Sequence, residues 1–355
     1  MRRARMMGYK KLTFWGITWL LITLIIMSPA VAGSKTFKLK MADMHTLGTE
    51  PADAGEWWAN EVEKRTQGRV KIERYWAGSL VKPLEQLDAV KSGIIEITYY
   101  MSGYHPDIAP LLVMTLFPFV NTGNLKVNLA AVDELCRENQ NLAAEFKKNN
   151  VKYLYPFNST KQYMWSKVPI QSLDDLKGLR LRTMGPFLTL FKELGSGLVN
   201  VAMPEIYDTL ERGAVSATTV YLADAVTQRF HEVVEFANIT NLGDNLGCPV
   251  VMNLDFWNSL PTDLQKTINQ VNLEMVEKCN EVSTKLFEKS MKVVRDAGIT
   301  MHTFSPEDVQ VLKEISKTKV WGPYLKKSDS KGVAASETFQ NYLQLQEKYS
   351  KVYKD

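Results

Sequence analysis

The order of hydrophobic and polar positions in residues 35–100 switches repeatedly between strand and helix patterns. Residues 35–44, 70–75 and 94–100 predict β-strands, because apolar side chains alternate there or form short runs. Between them apolar residues recur at helical spacing, and the first helix would bury Trp58 on its inner face. Strands that alternate with helices pair in parallel and carry helices on both faces of the sheet. We therefore predict an α/β fold, in which ligands bind at the carboxyl ends of strands.

The later part of the chain predicts longer elements and a second lobe. Residues 126–149 predict one helix, and residues 151–155 predict a strand that leads across to the other lobe. Residues 262–297 contain neither Gly nor Pro, which predicts a single long helix closed by Gly298. Roughly 320 residues follow the leader, which is more than one hydrophobic core usually serves. Because no Gly/Ser-rich or Pro-rich linker divides them, we expect the chain to cross between lobes more than once.

The first 32 residues have the pattern of a secretory signal peptide. A basic start with five Lys and Arg and no acidic residue precedes an apolar run over residues 12–27. Ala30-Val31-Ala32 has the small-residue form that signal peptidase accepts, so we predict cleavage after Ala32 and a periplasmic location. The alternative is a membrane anchor, which the short apolar run disfavours.

Charge and cysteine content narrow the classes of function. Of the 43 basic residues, five lie in the leader, which leaves 38 against 39 acidic residues. The excess of basic over acidic residues is therefore due to the leader, and it gives no support for nucleic-acid binding. Cys136, Cys248 and Cys279 are far apart and form no Cys-x-x-Cys pair, which favours buried thiols over a metal or redox site.

Motifs for catalysis are absent from the sequence. It contains no Walker loop, dinucleotide fingerprint, His-Glu-x-x-His or Gly-x-Ser-x-Gly motif. The four histidines, His45, His105, His231 and His302, lack metal-ligand spacing. We predict no catalytic residue, no metal and no cofactor. His45 follows the first predicted strand and is a candidate ligand contact, with a structural hydrogen bond as the alternative.

Residues 172–182 carry the main candidate for binding. Ser172 caps a short helical turn that ends at Gly178, and an alternating strand follows. Leucines face one side of this strand, and Arg180 and Arg182 face the other. Arg182 ends the strand, where a planar guanidinium can hold a carboxylate with two parallel hydrogen bonds. The alternative is a solvated surface arginine.

Segments spread over the chain after the leader resemble one known family. They are LDDLKGLRLR at 173–182, LG at 194–195, MPEIYDTLERGAV at 203–215, TQGRV at 66–70, GSL at 78–80, LDAVKSG at 87–93, FPF at 117–119 and WNSLP at 257–261. Their order and spacing resemble those of the solute-binding proteins of tripartite ATP-independent periplasmic (TRAP) transporters, the dicarboxylate-binding or DctP-like family.

The resemblance implies a two-lobed periplasmic-binding-protein fold. Each lobe would be a mainly parallel sheet flanked by helices, with a long helix spanning both lobes. Lobe I would comprise residues 33–157 and 247–286, and lobe II residues 158–246 and 287–355. The ligand would lie in the cleft between the lobes, which would close around it.

The resemblance also implies a ligand site with Arg182 as the carboxylate clamp. The expected ligand-binding residues are Arg182, Gln162, Asn245, His45, Met101, Trp165, Met203, Val220 and Tyr221. Val220 stands where the family usually has an asparagine. Gln162 and Met101 stand where sialic-acid-type members have an arginine and an acidic residue. These departures favour a monocarboxylate with an apolar or aromatic body over a sugar acid.

We therefore predict an extracytoplasmic solute-binding protein that is not an enzyme. It would capture a small organic carboxylate between its lobes and deliver it to the membrane subunits of a TRAP permease, acting as a monomer without nucleic acid. One alternative is a periplasmic enzyme on the same scaffold, with His45 or a cysteine in the cleft. Another is a subunit that presents the ligand to a membrane sensor. Turnover assays test the first alternative, and the genes adjacent to this one test the second.

Overall fold

The computed structural model describes residues 35–157, 159, 161–239, 242–243 and 247–354. The strands are β1 Phe37–Ala42, β2 Val70–Tyr75, β3 Ile97–Tyr99, β4 Val151–Tyr155, β5 Gln162–Ser166, β6 Arg180–Arg182, β7 Gly197–Val199, β8 Ala217–Tyr221, β9 Phe236–Ile239, β10 Val250–Asn253 and β11 Thr300–Thr303. The helices are α1 Glu50–Arg65, α2 Gln86–Ser92, α3 Pro110–Val113, α4 Leu125–Glu138, α5 Gln140–Lys148, α6 Phe187–Glu193, α7 Ile206–Glu211, α8 Leu222–Thr227, α9 Leu254–Ser259, α10 Thr262–Leu273, α11 Met275–Asp296, α12 Pro306–Ile315, α13 Gly322–Ser330 and α14 Ala335–Val352. The predicted leader and Asn245 lie outside the described residues.

The described strands form two separate sheets, one in each lobe. The first sheet has the order β2-β1-β3-β10-β4, and the second has the order β11-β9-β5-β8-β6-β7. Parallel pairs join β1 to β2 and β3, and join β6 to β7 and β8. The pairing is mixed, because β10 is antiparallel to both β3 and β4, and β5 is antiparallel to both β8 and β9. In both lobes an antiparallel strand is placed among strands that helical crossovers keep parallel.

The chain passes between the two sheets more than once. Strand β10 returns to the first sheet after β9, and β11 goes back to the second. Within the described part of the chain, strand membership changes after β4, after β9 and again after β10. The long helix α11 lies between β10 and β11 in sequence, and it packs against α1 and α4 of the first lobe and α8 of the second. The predicted long helix in contact with both lobes is therefore present.

The predicted helix over residues 262–297 is divided into α10 and α11 at Glu274. The sequence contains no Gly or Pro at this junction. The side chains around it instead form hydrogen bonds with a helix that is distant in sequence. Arg65 Nη2 donates to Glu274 Oε2 at 2.8 Å, and the Trp58 indole N–H donates to Asn272 Oδ1 at 2.8 Å. Both partners come from α1, so this helix holds the two sides of the junction.

The C-terminal segment differs from the expected lobe assignment. Residues of α12 pack against α6 of the second lobe, whereas α14 packs against α4 and α3 of the first. Tyr342 donates a hydrogen bond to Asn121, and Lys348 pairs with Glu134 at 2.6 Å. The sequence placed residues 287–355 wholly in lobe II, and for α14 this is wrong. Its apolar face gives no signal of which lobe it covers.

Candidate ligand-binding site

A small cavity of about 30 Å³ lies between the lobes, at the ends of strands from both sheets. It brings together seven of the expected site residues, namely Arg182, Gln162, His45, Met101, Met203, Val220 and Tyr221. The turns after β1 and β3 supply His45 and Met101, and β5, β6 and β8 supply the others apart from Met203. The carboxyl ends of β1, β3, β6 and β8 therefore converge at this site, as the α/β pattern predicts, and the antiparallel β5 contributes its first residue.

Trp165 lies outside the lining of this cavity. Gln162 is the first residue of β5 and lines the cavity, whereas Trp165 lies three positions further along the strand, away from the cavity lining. The Trp165 ring is fully buried and contacts the Tyr163 ring, and its indole N–H donates to the Val220 carbonyl at 3.0 Å. Trp165 therefore supports β8 through this hydrogen bond, and the cavity lining does not support the prediction that Trp165 contacts the ligand.

Arg182 occupies the strand end that its sequence position predicts, but it is buried. The preceding turn ends at Gly178, whose φ of 72° suits glycine, and β6 follows with Leu181 in the core. Arg180 is exposed on the same face, whereas Arg182 is only 2% exposed because the other lobe covers it. The Arg182 Nε donates to the Val201 carbonyl at 3.0 Å, which fixes the guanidinium at the cavity wall.

The charge on Arg182 has no carboxylate partner among the described residues. Burial lowers the pKa of Arg182, and the neighbouring phenols of Tyr104 and Tyr221 oppose that shift. An arginine stays protonated in proteins, so the cavity holds a desolvated positive charge. Burial raises the pKa of the Tyr104 phenol, and the positive charge of Arg182 opposes that rise. Such a site favours an anion that can accept hydrogen bonds from a guanidinium.

His45 faces the same cavity from the first lobe and belongs to a buried acidic cluster. Its Nδ1 lies 2.7 Å from Asp43 Oδ1, and its ring packs edge-on against Tyr99. Burial lowers the pKa of His45, but Asp43, Asp224 and Glu50 together raise it above the ordinary value. Asp224 comes from α8 of the second lobe, and burial raises its pKa to about 6 while His45 opposes the shift. His45 is thus electrostatically coupled to both lobes.

The remaining lining residues are mostly apolar, and sequence patterns give a signal for only some of them. They are Met44, Tyr104, Phe157, Met184, Thr219 and Cys248. Met44 could be placed near the cleft because it follows the first strand, and Thr219 because it precedes Val220. Tyr104, Phe157 and Met184 lie in loops, where alternation and helical periodicity carry no information.

The cavity offers no activated nucleophile among the described residues that line it. Burial raises the pKa of Cys248 to about 12, so its thiol is protonated and inert at neutral pH. Within the described residues, no group of three or more His, Cys, Asp and Glu side chains is arranged to hold a metal ion. The buried donors of the site, above all the Arg182 guanidinium, suit the binding of an anion.

Two α/β lobes that enclose a buried arginine at their strand ends define a two-lobed solute-binding protein. The chain matches the DctP family, described as bacterial extracellular solute-binding protein, family 7, over residues 43–327. The chain belongs to this family, whose members are the solute-binding proteins of TRAP transporters and not enzymes. TRAP binding proteins work together with membrane permeases. Among the described residues, no helix is both long enough and apolar enough to cross a membrane.

Three related proteins illustrate the similarity. The C4-dicarboxylate-binding periplasmic protein DctP of Rhodobacter capsulatus is 23% identical over 299 residues, which cover 83% of this chain and 88% of that protein. A monocarboxylate 2-oxoacid-binding periplasmic protein of Nostoc sp. is 29% identical over 276 residues, covering 73% of this chain and 71% of that one. A TRAP solute-binding protein of Desulfovibrio salexigens is 28% identical, with a TM-score of 0.76 over 90% of this chain and 98% of that one. That crystal structure is an open complex with the C-terminus of a symmetry mate in its ligand-binding site.

Proposed function

We propose that the protein captures a compact organic monocarboxylate with an apolar or aromatic body and delivers it to a TRAP permease. The carboxylate would bind the Arg182 guanidinium, and the body would lie among the methionine and aromatic side chains of the cavity. The observation that carries the proposal is a buried arginine without a carboxylate partner among the described residues, held at the wall of a largely apolar cavity. A ligand carboxylate would supply the missing negative charge.

The apolar lining supports a ligand with few hydroxyl groups. Val220 and Met101 are 2% and 4% exposed, and neither side chain can satisfy a ligand hydroxyl. An unsatisfied buried hydroxyl costs about 1–3 kcal/mol, whereas apolar surface gains roughly 25 cal/mol per Å². The Nostoc relative is described as binding monocarboxylate 2-oxoacids, which supports the same class. The Rhodobacter relative binds C4-dicarboxylates, and His45 is the second cationic group that a dicarboxylate would require here.

The leader and the partners complete the proposal. Residues 1–32 would direct export and be removed after Ala32, which would leave the mature protein in the periplasm. The mature protein would act as a monomer, bind no nucleic acid and require no cofactor. Its remaining ligand contacts would be Gln162, His45, Met203 and Tyr221, with Asn245 as a further candidate outside the described residues.

A thermal-shift screen of organic acids, followed by calorimetry, tests this function. Mass spectrometry of ligand that copurifies with the protein identifies the natural acid directly. We expect Arg182→Ala to abolish acid binding and Arg182→Lys to weaken it at least about 30-fold, because an ammonium cannot reproduce the bidentate fork. Arg180→Ala is the matched control, since Arg180 is exposed on the same strand and should leave affinity unchanged. Wild-type affinity in Arg182→Ala would refute the site.

A further inference from the structure

A second and larger cavity adjoins the ligand site. Its volume is about 390 Å³, against about 30 Å³ for the inner cavity that contains Arg182. It is lined by Gly103 and Val113 from the first lobe, Gly185 and Leu188 from the second, and Val320 and Pro323 from the C-terminal helical segment. Pro106, Pro186 and Tyr324 add further apolar surface, and Thr189, Lys319 and Lys327 are its polar and charged lining residues. We call it the outer cavity.

Consecutive residues on both lobes separate the outer cavity from the inner one. On the first lobe Gly103 lines the outer cavity while Tyr104 lines the inner one. On the second lobe Gly185 lines the outer cavity while Met184 lines the inner one. The wall between the cavities is therefore a single layer made by residues 103–104 and 184–185.

The Met184 side chain forms the thin part of this wall. Its terminal methyl carbon lies so close to Gly103 that a Cβ on Gly103 would sit 3.0 Å from it. A Cβ on Gly103 would also meet Leu116 Cδ1 at 3.3 Å, so the absence of a side chain at 103 is what leaves room for the Met184 methyl. Met184 is only half-buried, whereas Met101 and Met203 are buried. An unbranched thioether side chain is also the most easily displaced of the apolar groups.

We propose that Met184 is a specificity-determining residue that limits the length of the bound acid by separating the inner cavity from the outer one. The inference rests on the proposed function, in which Arg182 holds the carboxylate. With Met184 in place, the ligand body must stay within the inner cavity, so compact acids bind. Without it, the apolar chain of a longer acid extends past position 184 into the outer cavity, between Leu188 and Val320.

The test is a calorimetric series of straight-chain alkanoates from acetate to decanoate, titrated into wild type and Met184→Ala. In wild type, affinity should stop rising or fall beyond a short chain length. In Met184→Ala it should continue to rise, by about fourfold for each methylene that enters the outer cavity. An unchanged chain-length profile in Met184→Ala would overturn the proposal.

Leu188→Ala provides the matched control, because Leu188 lines only the outer cavity. Alone it should not alter the alkanoate profile, whereas in the Met184→Ala background it should reduce the gain for octanoate and decanoate. A second variant, Gly103→Ala, should push the Met184 methyl inward and weaken compact acids. In the Met184→Ala background, Gly103→Ala should no longer weaken the binding of compact acids. If Gly103→Ala weakened their binding equally in wild type and in Met184→Ala, Met184 would not be the responsible group.

A crystal structure of Met184→Ala gives a readout that needs no ligand. A continuous cavity from Arg182 to Pro323 is expected, and two separate cavities would overturn the proposal. If wild type bound no carboxylate, or bound acids without Arg182, the proposed function would fail while this structural result could still be positive. If Arg182-dependent binding held and both Met184→Ala results were negative, only the present inference would fail.

Discussion

The Nδ1 of His45 lies 2.7 Å from Oδ1 of Asp43, and the same oxygen accepts the backbone N–H of His45 at 2.9 Å. Two bonds to one carboxylate oxygen fix both the ring and the turn that follows β1. Nε2, the nitrogen that Asp43 does not contact, is therefore the ring nitrogen left for a ligand in the cavity that His45 lines. Because Asp43 raises the pKa of His45 against the effect of burial, this pair sets the charge on the first lobe's side of the ligand site.

Asp43→Asn should make the protein less stable at low pH. The folded-state pKa of His45 is raised above 6.5, so its protonated form stabilises the fold below that pH, and the effect is lost as pH rises through the folded pKa. We expect the free energy of unfolding to fall by about 3–5 kcal/mol at pH 6, and the difference from wild type to shrink towards pH 9. Denaturation at several pH values measures it, with the exposed Asp107→Asn as control. A pH-independent difference would contradict the assignment.

Ligand binding should be accompanied by closure of the lobes. The inner cavity is lined by residues of both lobes, so an acid enters only when the lobes separate. In this form the lobes touch through the Thr227 hydroxyl and the Gly48 carbonyl, 3.2 Å apart. Small-angle scattering should show a smaller radius of gyration with a saturating cognate acid than without it. Arg182→Ala should show no such change, and an unchanged wild-type profile at saturation would indicate a rigid site.

Val220→Asn should reverse the preference for apolar acids. The new amide would lose apolar contact with the natural ligand and offer a partner to a ligand hydroxyl, whose burial otherwise costs about 1–3 kcal/mol. We expect up to about tenfold weaker binding of apolar monocarboxylates and tighter binding of hydroxylated acids, measured by calorimetry. Val220→Ala controls for the lost apolar contact. The prediction is refuted if sialic, uronic or aldonic acids alone shift the melting temperature of wild type.

Glu145→Gln should flatten the pH dependence of stability. The Glu145 carboxylate accepts hydrogen bonds from the Leu111 N–H at 3.0 Å and the Tyr100 hydroxyl at 3.3 Å. Burial nevertheless raises its pKa from 4.5 to about 7, so the folded protein retains a proton that the unfolded chain has lost. Stability from this group therefore falls between pH 4.5 and 7, by about 3 kcal/mol.

Glu145→Gln should remove this decline, which urea titrations at pH 5 and pH 7.5 would measure. Glu138→Gln is the matched control, because the Glu138 side chain is 70% exposed on the preceding helix. If wild type and Glu145→Gln lost stability in parallel between these pH values, the proton would reside elsewhere.

Hydrophobic periodicity in the sequence predicted the helices and strands of this fold better than it predicted the contacts between them. Alternation placed Arg182 at a strand end, and the structure puts it at the cavity wall. On β5 the sequence interpretation placed both Gln162 and Trp165 at the site, but only Gln162, at the start of the strand, lines the cavity. The predicted helix over residues 126–149 is divided at Asn139, whose side chain accepts the Leu142 N–H at 3.0 Å and caps α5.

The features that could not be predicted depend on contacts between distant segments. The junction at Glu274 is held by Arg65, and the return of α14 to the first lobe depends on partners such as Glu134. Met184 and Tyr104 enter the cavity lining through loops, whose paths are set by the packing of both lobes. None of these relationships leaves a periodic signal in one sequence.

The position of β10 also constrains the order in which the protein can fold. Residues 250–253 lie inside the first sheet, between β3 and β4, although both of those strands come much earlier in the chain. Until residues 250–253 are in place, the facing edges of β3 and β4 are unpaired, and such edges are the ones on which chains aggregate. The first sheet is therefore complete only after the chain has passed through the second lobe and returned.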